Sequence, residues 1–425
     1  MTEDRPPRPA TIRPPTAAWW HRLWVAGLVA VVWLACFRFP VVWAVTGIGE
    51  ADRPFMDLYG ILAASDAAQA GVDPFRPNDF DPYHRPHVYT EWWLEIGRLG
   101  WHRADTLWLG AILLAVVLAT AVGVAGPRTR REGLGLFFLL VSPALLMAVN
   151  RANNDLVVFV VVSLGLLCFR TGRRAAQAAG VLLLAVATVL KYYPLAAFVV
   201  LLDLRSRRGL VASLGLCALV LVLAWPGLEP GLRSAAKFMP QPDWLYAFGA
   251  PVFLRDLDVN TTLGWLLPAL LLGIWAVANA FRAMTGTRGE APSGEVWAER
   301  EFMCGAAMLT GLFFLGTSYV YKLIFAVWLL PWLWRGPHDA AEARWCRITG
   351  GLLMAVVWWE GALAVGLNLL TGALSTPVAL VLLKGTLIIG QLLTWALVAC
   401  LLRLSLPQAG RRLRALFSPA APEPS

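Results

Sequence analysis

Four side chains from well-separated stretches of this sequence could together do chemistry on a phosphate ester: the carboxylate of Asp57 and the cations of Arg151, Lys191 and Lys322. A carboxylate placed beside a hydroxyl can take its proton and turn a poor nucleophile into a competent one. Arg and Lys near aromatic rings can neutralise a phosphate and stabilise the charge that grows on it as it leaves. Transfer of a phosphate-linked sugar to a hydroxyl needs both tasks. Each residue also has a plainer reading. Asp57 stands where a helix N-cap or a solvated loop acid would, and Asp52 and Asp73 compete with it as base. Arg151 could pair with Asp155 across a turn, and Lys191 and Lys322 could extend to lipid headgroups.

The elements that must position these groups are apolar helices. Of 425 residues, 58% are hydrophobic and only 15% charged, and the mean hydropathy is +0.62. That balance excludes a soluble domain and gives an all-α polytopic membrane protein. Apolar segments lie at about 23–46, 105–126, 134–149, 155–169, 175–190, 192–204, 209–226, 262–281, 302–318, 320–334, 348–370 and 377–402, so about twelve spans are expected. They form one membrane domain over 23–402, between a Pro- and Arg-rich tail (1–22) and a basic tail (403–425). The N-terminal tail lacks the apolar core of a signal peptide, so the first span is expected to act as an uncleaved anchor.

The net charge of +9 is a topology signal rather than a nucleic-acid surface. Clusters such as Arg128/Arg130/Arg131, Arg170/Arg173/Arg174 and Arg205/Arg207/Arg208 occupy every second loop. Basic residues mark inside loops, which places both termini in the cytoplasm. The complementary loops are then outside. Two are long, at 48–104 and 227–261, and the first carries nine acidic residues, including Asp57. A short amphipathic helix from about Asp57 to Ala70 is expected in it, lying along the outer surface. Trp92, Trp93, Trp101 and Trp108 fit an interfacial aromatic belt. The other outside turns are short and polar, and three of them carry a basic residue against the rule: Arg151 in Asn150–Asp155, Lys191 in Lys191–Pro194, and Lys322 in Thr317–Lys322. The six cysteines fall in or beside apolar spans with no metal-ligand spacing, so neither a disulfide framework nor a metal centre is expected.

Three stretches resemble the polyprenyl-phosphate-dependent glycosyltransferases of the GT-C superfamily, specifically the bacterial family 87 mannosyltransferase-like proteins. They are Asp57-Leu58-Tyr59 followed by Gly71-Val72-Asp73-Pro74-Phe75, the turn Asn150–Asp155, and Ala187-Thr188-Val189-Leu190-Lys191-Tyr192-Tyr193-Pro194-Leu195. The resemblance covers roughly the first half of the chain. It implies a GT-C-like bundle in the bacterial inner membrane, with its site facing outside and no cofactor beyond the lipid-linked sugar. Asp57 would be the base and Lys191 part of the donor phosphate site, with Arg151, Lys322 and Tyr192 beside it. Tyr59, Asp73, Asn154, Asp155, Tyr321 and His87 are the candidates for sugar or acceptor contacts. The acceptor would be a lipid or glycan hydroxyl. The chain departs from the family at Thr317–Lys322, where a His-containing segment is usual, and at His84-Arg85-Pro86-His87, where Tyr-Pro-Pro is usual. Mannose is therefore not assumed.

The main rival reading is a transporter or lipid-linked-sugar flippase. Transporter sites lie near the midplane between broken helices. Here Glu360 and Lys384 are the mid-span exceptions, while the other polar groups gather towards one face. A polymerase or ligase of the O-antigen type would place its large loop later in the chain.

Overall fold

The computed structural model describes residues 18–46, 48, 53–204, 207–238, 246–252, 268–278, 296–336, 339–370 and 376–417. Within them each of the twelve apolar segments is helical, over part or all of its length. Five helices are long and apolar enough to cross a membrane: Trp19–Arg38, Arg103–Ala125, Arg207–Phe238, Ala340–Gly366 and Val381–Leu416. A sixth span results if the bent pair Arg130–Leu140 and Pro143–Arg151 counts as one. The remaining apolar helices are shorter or, like Val296–Leu315, begin with charged residues. The protein is thus a helical, multi-pass membrane protein, with five or six helices among the described residues long and apolar enough to span.

The breaks in these helices have local causes, and several of them shape the site. Helix α1 (Ala18–Arg38) stops before Pro40, which opens α2 (Pro40–Val45) from an extended Phe39, because proline disfavours a helical residue before it. Helix α3 is Met56–Gln69, within one residue of the expected span. It is not one-sided, however: positions 61 to 65 are all buried, so it is enclosed by protein over its middle. It packs against the 3₁₀ segment Glu91–Leu99, where Ser65 Oγ donates to Leu94 O and accepts from Gly97 N. Helix α4 is Thr106–Ala125.

Helices α5 (Arg130–Leu140) and α6 (Pro143–Arg151) meet at 56°, with Pro143 starting the second. Helix α7 (Asp155–Arg170) runs from the polar turn after α6 to Arg170, and α8 (Arg174–Leu190) returns to Lys191. One rise of about 1.5 Å per residue puts the two ends of α7 roughly 22 Å apart. A 3₁₀ segment follows over Tyr193–Asp203, headed by Pro194.

Helix α9 (Arg207–Phe238) departs from the sequence reading, which ended this span at 226 and placed a loop from 227. The helix continues through Pro226 and Pro230 to Phe238. Small residues on one face explain the continuation, because they let α9 lie directly on the first loop. A Cβ at Gly231 would stand 2.1 Å from Tyr89 O, and Ser234 Oγ donates to His87 O at 2.5 Å. Residues 239–245 and 253–261 of the expected second loop lie outside the described residues.

The C-terminal half contains α10 (Pro268–Ala278), α11 (Val296–Leu315), a 3₁₀ segment at Val320–Leu329, α12 (Leu330–Arg335), α13 (Ala340–Leu370) and α14 (Thr376–Phe417). Strand β1 (Ala247–Phe248) pairs antiparallel with β2 (Ser318–Tyr319), in the register Ala247 opposite Tyr319. The core runs through α7, α8, α11 and the two long 3₁₀ segments, centred on Phe159, Phe302, Phe325 and Trp328. Large apolar side chains such as Leu107, Leu219, Val222, Leu223 and Leu392 remain exposed on the outside of the long helices, as a lipid-facing surface requires.

Candidate active site

Two strained turns bring the first half of the site together. Phe55 holds a left-handed backbone (φ 61°) immediately before α3, and Ala152 does the same (φ 42°) immediately after α6. Phe55 N donates to Asn150 O at 2.8 Å, which ties the two turns to each other. A bulky residue at positive φ is costly. Here packing holds it: the Phe55 ring fills the space beside Gly110, where a Cβ would come within 2.2 Å of it. The result sets Asp57, in the first turn of α3, against Arg151 at the end of α6.

Asp57 does not cap its helix; it is gripped across the turn. Arg151 donates from Nε and Nη2 to the two Asp57 oxygens at 2.9 and 2.8 Å, and Asn153 Nδ2 donates to Oδ2 at 2.6 Å. The pairing of Arg151 with Asp155, considered from the sequence, is not formed. Asp155 is instead fully buried at the start of α7 and accepts from both Lys191 Nζ and Tyr193 OH through Oδ1. Its Oδ2 has no hydrogen-bond partner, nor has either polar atom of Asn154. Lys191 therefore does not extend to lipid headgroups: it is buried on Asp155, with its ammonium 5.2 Å from the Tyr89 ring centre. Lys322 brings a second ammonium, 4.9 Å from the Tyr193 ring centre. Tyr193 thus sits between two cations, an arrangement favoured by the negative face of the ring.

Asp57, Arg151, Lys191 and Lys322 line one cavity of about 310 Å³. Tyr192, Tyr321 and His87 also line it. Asn154 and Asp155 are not in its lining; Asp155 holds Lys191 and Tyr193, which are. Two candidates stand elsewhere. Tyr59 is half-buried beneath the Arg53 guanidinium at 5.3 Å. Asp73 is exposed, accepting from Phe75 N and pairing with Arg76 in a local turn. Asp52 falls outside the described residues.

The structure adds groups that sequence reasoning gave no role. Arg85 lines the cavity, bonded to Asp81 and to Met56 O, with Nη1 3.8 Å from Asp57. Tyr89, Tyr193 and Tyr319 complete a lining that holds five of the chain's eight tyrosines. Tyr319 stacks on Tyr321 at 5.2 Å and receives the Arg151 guanidinium at 5.7 Å. The β1–β2 pairing fixes this aromatic pair, because Val320 N donates to Tyr246 O beside it. Clustered tyrosines were the available signal: Tyr192-Tyr193 and Tyr319-Val320-Tyr321 flank the two lysines in the sequence.

Burial sets the protonation states of the loop. It pushes His87 down from 6.5 to about 4, although its contact with Thr90 O opposes the shift. His87 is therefore neutral at physiological pH. Burial, with Asp57 and Asp155 nearby, raises the Tyr89 phenol, so it stays protonated.

No protein-family model matches the chain, and no curated protein matches it. The site must speak through its own chemistry.

Proposed function

We propose that this protein is an integral membrane glycosyltransferase that moves a sugar from a polyprenyl-phosphate donor to a hydroxyl of a lipid or glycan acceptor on the extracytoplasmic side. One observation carries the reading. Two carboxylates, four cations and five tyrosines from five separated segments line a single cavity, and that set contains the groups this reaction needs. Four cations (Arg85, Arg151, Lys191, Lys322) face three carboxylates (Asp57, Asp81, Asp155), which leaves one surplus positive charge for a phosphodiester. Tyrosine faces and hydroxyls suit a sugar ring, which presents both C–H faces and hydroxyls.

In the reaction, the acceptor oxygen bonds to the anomeric carbon as the bond from that carbon to the phosphate oxygen breaks. The hydroxyl proton passes to Asp57, and polyprenyl phosphate leaves with the extra negative charge on its phosphate oxygens. Lys191 and Lys322 stabilise that charge where it develops, in a dry setting that strengthens the interaction. Asp155 holds Lys191 in place and is a positioning residue.

The test is sugar transfer by the purified chain in liposomes carrying polyprenyl-phosphate sugars. Asp57→Asn is expected to lower the rate by about 10²-fold or more while the protein stays folded. Full activity in that variant removes Asp57 as the base.

A further inference from the structure

The grip on Asp57 raises a difficulty for any base. An ionised carboxylate offers about four lone-pair positions. Arg151 takes two of them and Asn153 a third. A carboxylate held in this way has little left with which to accept a hydroxyl proton. The same guanidinium is also a cation that the donor phosphate would seek, because Arg meets phosphate with the forked geometry it uses for carboxylate.

We propose that Arg151 is handed from Asp57 to the donor phosphate, so that phosphate binding itself frees the base. The inference rests on the transferase reading above. Three features make the handover feasible. The Arg151 side chain is a quarter exposed, whereas Asp57 is 8% exposed, so the cation is the partner with room to move. Tyr319 offers its ring to the guanidinium at 5.7 Å, on the side of the cavity that also carries Lys322. Arg85 Nη1 stands 3.8 Å from Asp57 Oδ1, so the carboxylate keeps a cationic neighbour after Arg151 leaves. The base would then act only when donor is bound, and binding would be ordered, donor before acceptor.

A double-mutant cycle reads this directly, with farnesyl phosphate as the probe titrated into the full-length protein in nanodiscs. If Asp57 competes for Arg151, Asp57→Asn tightens farnesyl phosphate binding by about tenfold. In an Arg151→Gln background the same substitution changes affinity by less than about twofold, because the contested cation is gone. An equal gain in both backgrounds overturns the handover, since it would reflect only the removal of a negative charge. So does the lack of any gain in the Arg151 background. Should Arg151→Gln not fold, Arg151→Lys takes its place: it keeps the charge without the fork, and the Asp57→Asn gain must fall by more than half. Farnesyl phosphate that binds none of the variants overturns both this inference and the transferase reading. Strong coupling in a protein that transfers no sugar removes the transferase reading and with it the freeing of a base, leaving only the exchange of Arg151 between Asp57 and a phosphate.

Discussion

The two ends of the helix bundle both bury ion pairs, but they use them differently. At the end opposite the cavity three arginines are each matched to a carboxylate. Arg170 is paired with Glu301 and stacked 4.2 Å from the centre of Trp297. Arg335 binds Glu132 at 2.7 Å and the carbonyls of Ala125 and Gly126 at 3.1 and 2.8 Å. Arg412 meets Glu299 at 3.3 Å. These pairs tie α4, α5, α7, α11, α12 and α14 together. At the cavity end cations outnumber carboxylates, and two of the pairs, Asp57–Arg151 and Asp81–Arg85, line open space. A balanced pair locks helices. An unbalanced cluster around a cavity is a place for a further anion.

The comparison breaks most readily at the far end. Arg170→Ala leaves Glu301, 1% exposed, without the guanidinium that bonds its carboxylate. A loss of about 3 kcal/mol is expected, the lower end of the usual range because the guanidinium is a quarter exposed. Chemical denaturation checks it, and sugar transfer per folded molecule should be unchanged. A large drop in specific activity with stability intact would erase the distinction between the ends.

Lys322→Ala sharpens the other side. Its ammonium rests on an aromatic ring rather than in an ion pair, so stability should change little. The apparent KM for donor is expected to rise about tenfold, or about 1.4 kcal/mol of binding. Lys191→Ala is a poorer probe, because it strands Asp155 and mixes binding with folding. The smallest effect is that of His87. Its folded pKa, about 4, lies below the ordinary 6.5, so the unfolded chain takes up a proton that the folded chain refuses. Stability is whole above 6.5 and falls as pH drops towards 4, by about 1 kcal/mol one unit below the ordinary value. The His87→Gln variant should lose that slope in a pH series of melting temperatures.

Much of this was legible in the sequence, for physical reasons. Apolar runs have to be helical in lipid, so the helical segments followed from hydropathy. Basic residues in three short turns that the charge rule should leave neutral pointed to Arg151, Lys191 and Lys322, and all three line the cavity. Partner choice was not legible. Arg151 and Asp155 are four residues apart, and local spacing suggested a pair, but the left-handed Ala152 turns Arg151 towards Asp57 and leaves Asp155 to Lys191. Asp73 shares a loop with Asp57, yet its own Asx turn holds it at the surface. The length of α9 was hidden because its apolar run ends at 226, whereas the helix continues through Pro226 and Pro230 with Gly231 packed against the first loop. Arg85 was visible only as a departure from a family pattern, and its role needed three dimensions.

Photoaffinity labelling tests the central claim most directly. A diazirine-bearing prenyl phosphate, cross-linked to the full-length protein in liposomes and mapped by mass spectrometry, is expected to mark peptides spanning 85–93, 189–193 and 317–322, with labelling suppressed by excess farnesyl phosphate. Labelling confined to the far end around Arg170 and Arg335, or spread over the lipid-facing helices without competition, would contradict the account.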